Sequence, residues 1–180
     1  MSGHMKVITR VAVFAALVFI FSYASVFPYN VNPAFFIVFL SGFLWGPGAG
    51  VGVGVVGFFL WSNFNPLGPA PIPLLISQLL GISFSALIGA VAAKLFRPQK
   101  MNAKIGAIMI FSGLLTGLLY HVVVDIVDAW LYQPFWPRLI GGSVFSLITI
   151  VSNCIIFPLF YPALVFLYEK EKKSAYDRAS

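Results

Sequence analysis

Charge is what this 180-residue chain has least of: Asp, Glu, Lys and Arg together make up 9% of it. A soluble domain of this length leaves much of its surface in water. So few charges cannot cover a chain that is 60% hydrophobic with a mean hydropathy of +0.96. A water-soluble enzyme is excluded on that ground, and the same composition excludes disorder. Cysteine is nearly missing too, and a lone Cys154 builds neither a disulfide framework nor a cysteine metal cluster. A Gly-x-x-x-x-Gly-Lys-Ser/Thr phosphate loop is absent, so energy from nucleotide hydrolysis would have to come from a partner. These lacks leave an all-α integral membrane protein of one domain.

What the chain does have is long apolar runs. Met1-Ser2-Gly3-His4, ahead of a second methionine, reads as a cloning remnant. From there, helices are expected over residues 7–28, 34–45, 48–62, 74–96, 105–132 and 139–168, a single membrane domain spanning 5–168, with 169–180 as a polar cytoplasmic tail. A span needs about 20 apolar residues to cross ~30 Å of hydrocarbon. The second and third runs are short for that, so one kinked helix from Ala34 to Ser62 competes with two helices broken at Gly46-Pro47-Gly48. Asn32 followed by Pro33 suits the start of the second helix. Pro66, Pro69, Pro71 and Pro73 keep their segment out of helix.

The cations decide between five spans and six. With six, and a cytoplasmic N-terminus, ten of the eleven Lys and Arg residues fall on the cytoplasmic side: Lys6, Arg10, the Lys94 to Lys104 group and the tail, Arg178 included. Only Arg138 is left outside. Five spans would put most of them outside, against the positive-inside tendency. The expectation is therefore a compact six-transmembrane-helix bundle with both termini cytoplasmic, in the cytoplasmic (inner) membrane of the cell. The net charge of +6 then reflects topology and anionic lipid headgroups, not nucleic acid.

Small residues spaced by four let membrane helices approach closely. Ser77, Gly81, Ser85, Gly89 and Ala93 form such a row on the fourth helix, and packing explains it. On the first helix Ala12, Ala15 and Ala16 form a small patch just after Arg10, among Val, Phe, Leu and Ile. With Ala12 and Ala16 in an Ala-x-x-x-Ala motif, and with this size and topology, the chain resembles the substrate-binding S components of energy-coupling factor (ECF) vitamin transporters. The resemblance implies that Ala12, Ala15 and Ala16 dock on the coupling transmembrane subunit, which two cytoplasmic ATPases drive. The histidine motif that opens the nickel and cobalt branch is not found here, so metal uptake is set aside.

Ionisable groups within spans are costly and are functional candidates by default. His121, Asp125, Asp128 and Tyr132 lie within roughly 60° of one another on the fifth helix. Arg138 stands close enough in sequence to pair with either aspartate. Two readings remain open: an internal salt-bridge cluster that fixes helices five and six, or a face on an outward-facing ligand pocket, with a mixed outcome between them. Tyr29, Asn30, Asn32, Trp61, Asn63 and Asn65 gather at the same level, and Gln78 could reach it from the fourth helix. Amides beside aromatic rings suit a planar nitrogen heterocycle, a vitamin or vitamin precursor. Asn153 reads as an interhelical hydrogen bond. No cofactor is called for. The competing readings are a ligand-free scaffold, a self-sufficient transporter or channel, and a small membrane enzyme holding a divalent metal on His121, Asp125 and Asp128.

Overall fold

The computed structural model describes residues 3–27 and 30–176; Tyr29 and Arg178 lie outside the described residues. Among these there are six helices and no strand: α1 (Gly3–Ala24), α2 (Ala34–Trp45), α3 (Pro47–Phe64), α4 (Ile72–Leu95), α5 (Ala103–Leu131) and α6 (Phe135–Tyr176). Five are long and apolar enough to cross a membrane; α2, with 12 residues, is not. Ile8, Phe111, Ile140 and Leu159 are each at least 60% exposed, an outward apolar surface that water would not tolerate and lipid does.

α2 and α3 form a hairpin, not one kinked helix. Gly46 takes φ 85°, a left-handed conformation that ends α2, and Pro47 opens α3 at a position where its missing N–H costs nothing. The two helices then fold back so closely that a Cβ at Gly50 would sit 2.6 Å from the Gly42 Cα. α2 becomes the centre of the bundle, with every residue from Ala34 to Phe43 buried. Being enclosed by protein, it can be shorter than a helix that faces lipid. α4 crosses it at a point where a Cβ on Gly42 would overlap the Ala86 carbonyl oxygen and one on Gly89 the Phe39 carbonyl oxygen. The small-residue row of α4 thus serves packing.

α5 opens with Asn102, whose side-chain oxygen accepts the Ile105 N–H at 3.0 Å. Pro73 lies inside the first turn of α4, where a missing donor is harmless, so only the segment before Ile72 is non-helical. α6 differs most from expectation: it starts at Phe135 and runs without a break through Glu169–Ser174, the stretch read as a tail. Glu and Lys are good helix formers, and Glu171 pairs with Arg10 of α1, which holds that last part against the bundle.

The hairpin makes the six elements alternate in direction. Arg10 meets Glu171, Phe43 packs on Phe96 and Tyr168, and Tyr161 hydrogen-bonds the backbone of Gln99. The described cations other than Arg138 therefore collect at one end, here the basic end. Arg138, the α1–α2 loop and the α3–α4 loop lie at the other.

Candidate ligand-binding site

At the end opposite the cations, all six helices converge on a cavity of about 200 Å³. From α1 comes Ser22, from the turn just after it Ser25, from the following loop Asn30 and Asn32, and from α2 Phe35. Phe58 and Trp61 of α3 and Gln78 of α4 form one wall; Tyr120, His121 and Val124 of α5 and Thr149 of α6 form the other. An engineered apolar cavity of ~150 Å³ holds benzene, so this volume suits a molecule of one ring or slightly more. No Asp, Glu, Lys or Arg is among its lining residues.

The aromatic part is rigid. Phe35, Phe58 and Tyr120 meet one another edge-on with ring centres 5.0 to 6.1 Å apart, and Tyr23 packs edge-on against Trp61. The polar part is held by the turns. Asn32 Oδ1 accepts the Ala34 N–H at 2.9 Å just ahead of α2, while its Nδ2 donates to Ser22 Oγ at 3.1 Å. Asn30 adopts φ 61°, a conformation asparagine tolerates, and its Nδ2 donates to the Phe145 carbonyl at 3.1 Å. Those bonds stitch the α1–α2 loop to α1, α2 and α6 over the cavity. Ser62 Oγ donates to Gln78 Oε1 at 2.5 Å, which leaves the Gln78 Nε2 hydrogens for the cavity.

His121 stands between this cavity and a groove on the outside of α5 and α6. On the groove side its Nδ1 lies 3.2 Å from Asp125 Oδ1 and 3.0 Å from Ser146 Oγ, and the Ser146 hydroxyl donates to Asp125 Oδ2. Nε2 is buried without a hydrogen-bond partner.

Of the residues singled out in the sequence, Asn30, Asn32, Trp61, Gln78 and His121 line the cavity. Asp125 is one residue removed from it, held behind His121. Asp128, Tyr132 and Arg138 form a separate cluster at the surface: Arg138 donates to both Asp128 oxygens at 2.6 and 3.2 Å, and its guanidinium lies 5.2 Å from the Tyr132 ring centre. Arg138 thus takes one aspartate, and His121 and Ser146 take the other, the one expected to be left for ligand. Asn63 donates to the Phe59 carbonyl of its own helix, and Asn65 builds the turn after α3 by accepting from the Leu67 N–H and donating to the Gly68 carbonyl. Ala12 and Ala16 are exposed on α1, whereas Ala15 is buried beside Gly57 of α3.

Two further expectations need correction. Asp128 is turned to Arg138, and among the described residues no three His, Cys, Asp or Glu side chains are placed to hold a metal ion, so the one-face metal site does not form. Asn153 is fully buried between α5 and α6, but neither its Oδ1 nor its Nδ2 has a partner; the backbone of α6 comes so near Gly113 that the helices are joined there by close approach instead.

The cavity residues missed in the sequence are Ser22, Ser25, Phe35, Phe58, Tyr120, Val124 and Thr149. Tyr120 carried the best available signal, a phenol next to His121. It sits one step around the helix from the stripe that the aspartates drew attention to.

No curated protein and no solved structure matches this chain. The family model for the ECF transporter, substrate-specific component, matches residues 6–161. With most of its length matched, an all-helical fold and a six-helix enclosure around a pocket, the chain belongs to the substrate-specific component family of ECF transporters.

Proposed function

We propose that this protein is the high-affinity binding subunit of an ECF-type ABC importer, and that its ligand is a compact, planar, nitrogen-containing vitamin or vitamin precursor held in the cavity between Trp61, Gln78 and His121. The observation that carries this reading is the lining itself: flat aromatic walls, neutral amide and hydroxyl groups, and no fixed charge. A small uncharged heterocycle satisfies that set, and a polyanion would find no cation there. The stiff proline-rich segment between α3 and α4 suits a lid over a ligand that enters from outside the cell.

In this reading both termini are cytoplasmic, the basic end faces the anionic inner leaflet of the cytoplasmic membrane, and the exposed Ala12/Ala16 face of α1 meets the coupling subunit and its two ATPases. Native mass spectrometry of protein purified from cells fed a vitamin mixture tests it. Retention of one small nitrogen-containing ligand, lost in Gln78→Leu, is the expected result; a protein that retains and binds none of them removes the reading.

A further inference from the structure

We propose that the groove between α1 and α6 at the basic end binds one anionic phospholipid, with its headgroup phosphate at Lys6, Arg10 and Lys170 and an acyl chain laid against Val13, Phe14 and Leu167. The site is separate from the ligand cavity and independent of what that cavity holds.

The groove exists because α1 and α6 do not pack on one another among the described residues. Arg10 and Glu171 bridge them, next to a floor that Leu44 and Trp45 make at the end of α2, and the space left is about 350 Å³. Both walls change character at one depth. On α1, Lys6, Arg10, Val13 and Phe14 follow the i, i+4, i+7, i+8 spacing of a single helix face, charged towards the basic end and apolar one turn deeper. On α6, which runs the opposite way, Leu167 comes first and Lys170 and Glu171 follow one turn later. The Trp45 indole marks the boundary: it lies against the Arg10 guanidinium, donates to Glu171, and stands where tryptophan favours the level between headgroups and hydrocarbon. Val13 is 53% exposed, so the apolar half opens sideways to lipid.

Charge selects the occupant. Glu171 answers Arg10, while Lys6 and Lys170 have no ion-pair partner among the described residues, which leaves the mouth with an excess of two positive charges. A partner helix could cover the apolar half but would have to bring carboxylates to the same depth, and a zwitterionic lipid carries an amine that these cations repel. An anionic phospholipid matches both halves at once. The apolar groove between α4 and α5 is the contrast, because Lys104 is the one charged residue in its lining.

Native mass spectrometry of the full chain in non-ionic detergent tests the site, with phosphatidylglycerol or phosphatidylcholine of the same acyl chains added. One phosphatidylglycerol should be retained, preferred by about twentyfold. Lys6→Gln and Lys170→Gln should each lower that preference about fivefold, and Lys104→Gln should leave it unchanged. Glu171→Gln should raise it, since Arg10 then faces the phosphate alone, a gain that a purely structural role would not give. Val13→Trp, which fills the apolar half without touching a cation, should reduce retention. If a lysine variant does not fold, the wild-type preference and Glu171→Gln decide. Equal retention of the two lipids by the wild type, or a preference that survives in the double Lys6→Gln, Lys170→Gln variant, overturns the assignment. So does competition at equal concentration by glycerophosphoglycerol, the same headgroup without acyl chains, or a groove that takes no lipid and is covered only when the coupling subunit is added.

Discussion

Glu171, 161 positions along the chain from Arg10, pairs with its guanidinium and also accepts the Trp45 indole N–H at 3.3 Å. Arg10 lies over the same indole, 5.2 Å from its centre, and Phe14 packs edge-on against it. One carboxylate thus joins α1, the end of the buried α2 and the extension of α6. The pair is about 30% exposed, so salt screens it in part. Glu171→Ala should lower stability by about 1 kcal/mol, because Arg10 is left half-buried beside an aromatic ring without its partner. Glu171→Gln, which keeps an acceptor for Trp45, should cost less. Thermal unfolding in detergent at low and high salt checks both, with the Ala penalty shrinking at high salt.

The crossing of α2 with α4 makes a sharper stability prediction. A side chain at Gly42 would overlap the Ala86 carbonyl, and backbone cannot move aside as a flexible side chain can. Gly42→Val should destabilise by about 1–3 kcal/mol or prevent folding. Gly48 is the control: it lies in α3 with no atom within 4 Å of a new Cβ. Gly48→Ala should be neutral or raise stability by up to about 1 kcal/mol, through lower chain entropy in the unfolded state. Comparing melting temperatures of the two variants separates tight packing from helix propensity. Equal shifts would contradict the crossing.

Much of this arrangement was legible in the apolar runs and in the Gly and Pro breaks between them, since those follow from backbone chemistry that any surroundings must respect. The alternation of direction was legible as well, because Lys94 to Lys104 and Lys170 to Lys173 could share one end with Lys6 only if the chain turned at Gly46. The inward faces were not. In lipid both sides of a helix are apolar, so hydrophobicity carries no sign of which side packs, and α2 looks like any other run although it is buried all round. The site was harder still. Ser22 and Thr149 on the cavity wall cannot be told by type from Ser41 and Ser83, which merely bond back to carbonyls one turn earlier. Aspartates draw the eye in a membrane helix, but Asp128 and Asp125 are both engaged by neighbours, and neutral Gln78 and Asn32 face the space instead.

That division gives a binding prediction. Asp128→Asn and Arg138→Gln alter a pair that is half-exposed at the arginine and lies away from the cavity, so ligand affinity should stay within about twofold and stability should fall by at most ~1 kcal/mol. Gln78→Leu removes a donor from the wall and releases the Ser62 hydroxyl, and Trp61→Ala removes one side of the aromatic wall. Each should weaken binding by tenfold or more, on the order of 1–3 kcal/mol. Titration of the retained ligand against purified variants measures all four. A large effect of Asp128→Asn with none for Gln78→Leu would move the site to the surface cluster.

The alanines of α1 separate docking from folding. Ala12 and Ala16 lie on the outward face, where a larger residue meets only lipid in the isolated protein. Ala15 is 1% exposed, with its carbonyl 3.0 Å from where a Cβ on Gly57 would stand. Ala15→Trp should therefore unfold the protein or lower its melting temperature strongly, through overpacking against α3. Ala12→Trp and Ala16→Trp should leave both melting temperature and ligand affinity unchanged, yet abolish uptake into cells that express the coupling subunit and the ATPases, because a bulky side chain keeps a partner helix from close approach. Normal uptake by Ala12→Trp would show that a different face of the bundle meets the coupling subunit.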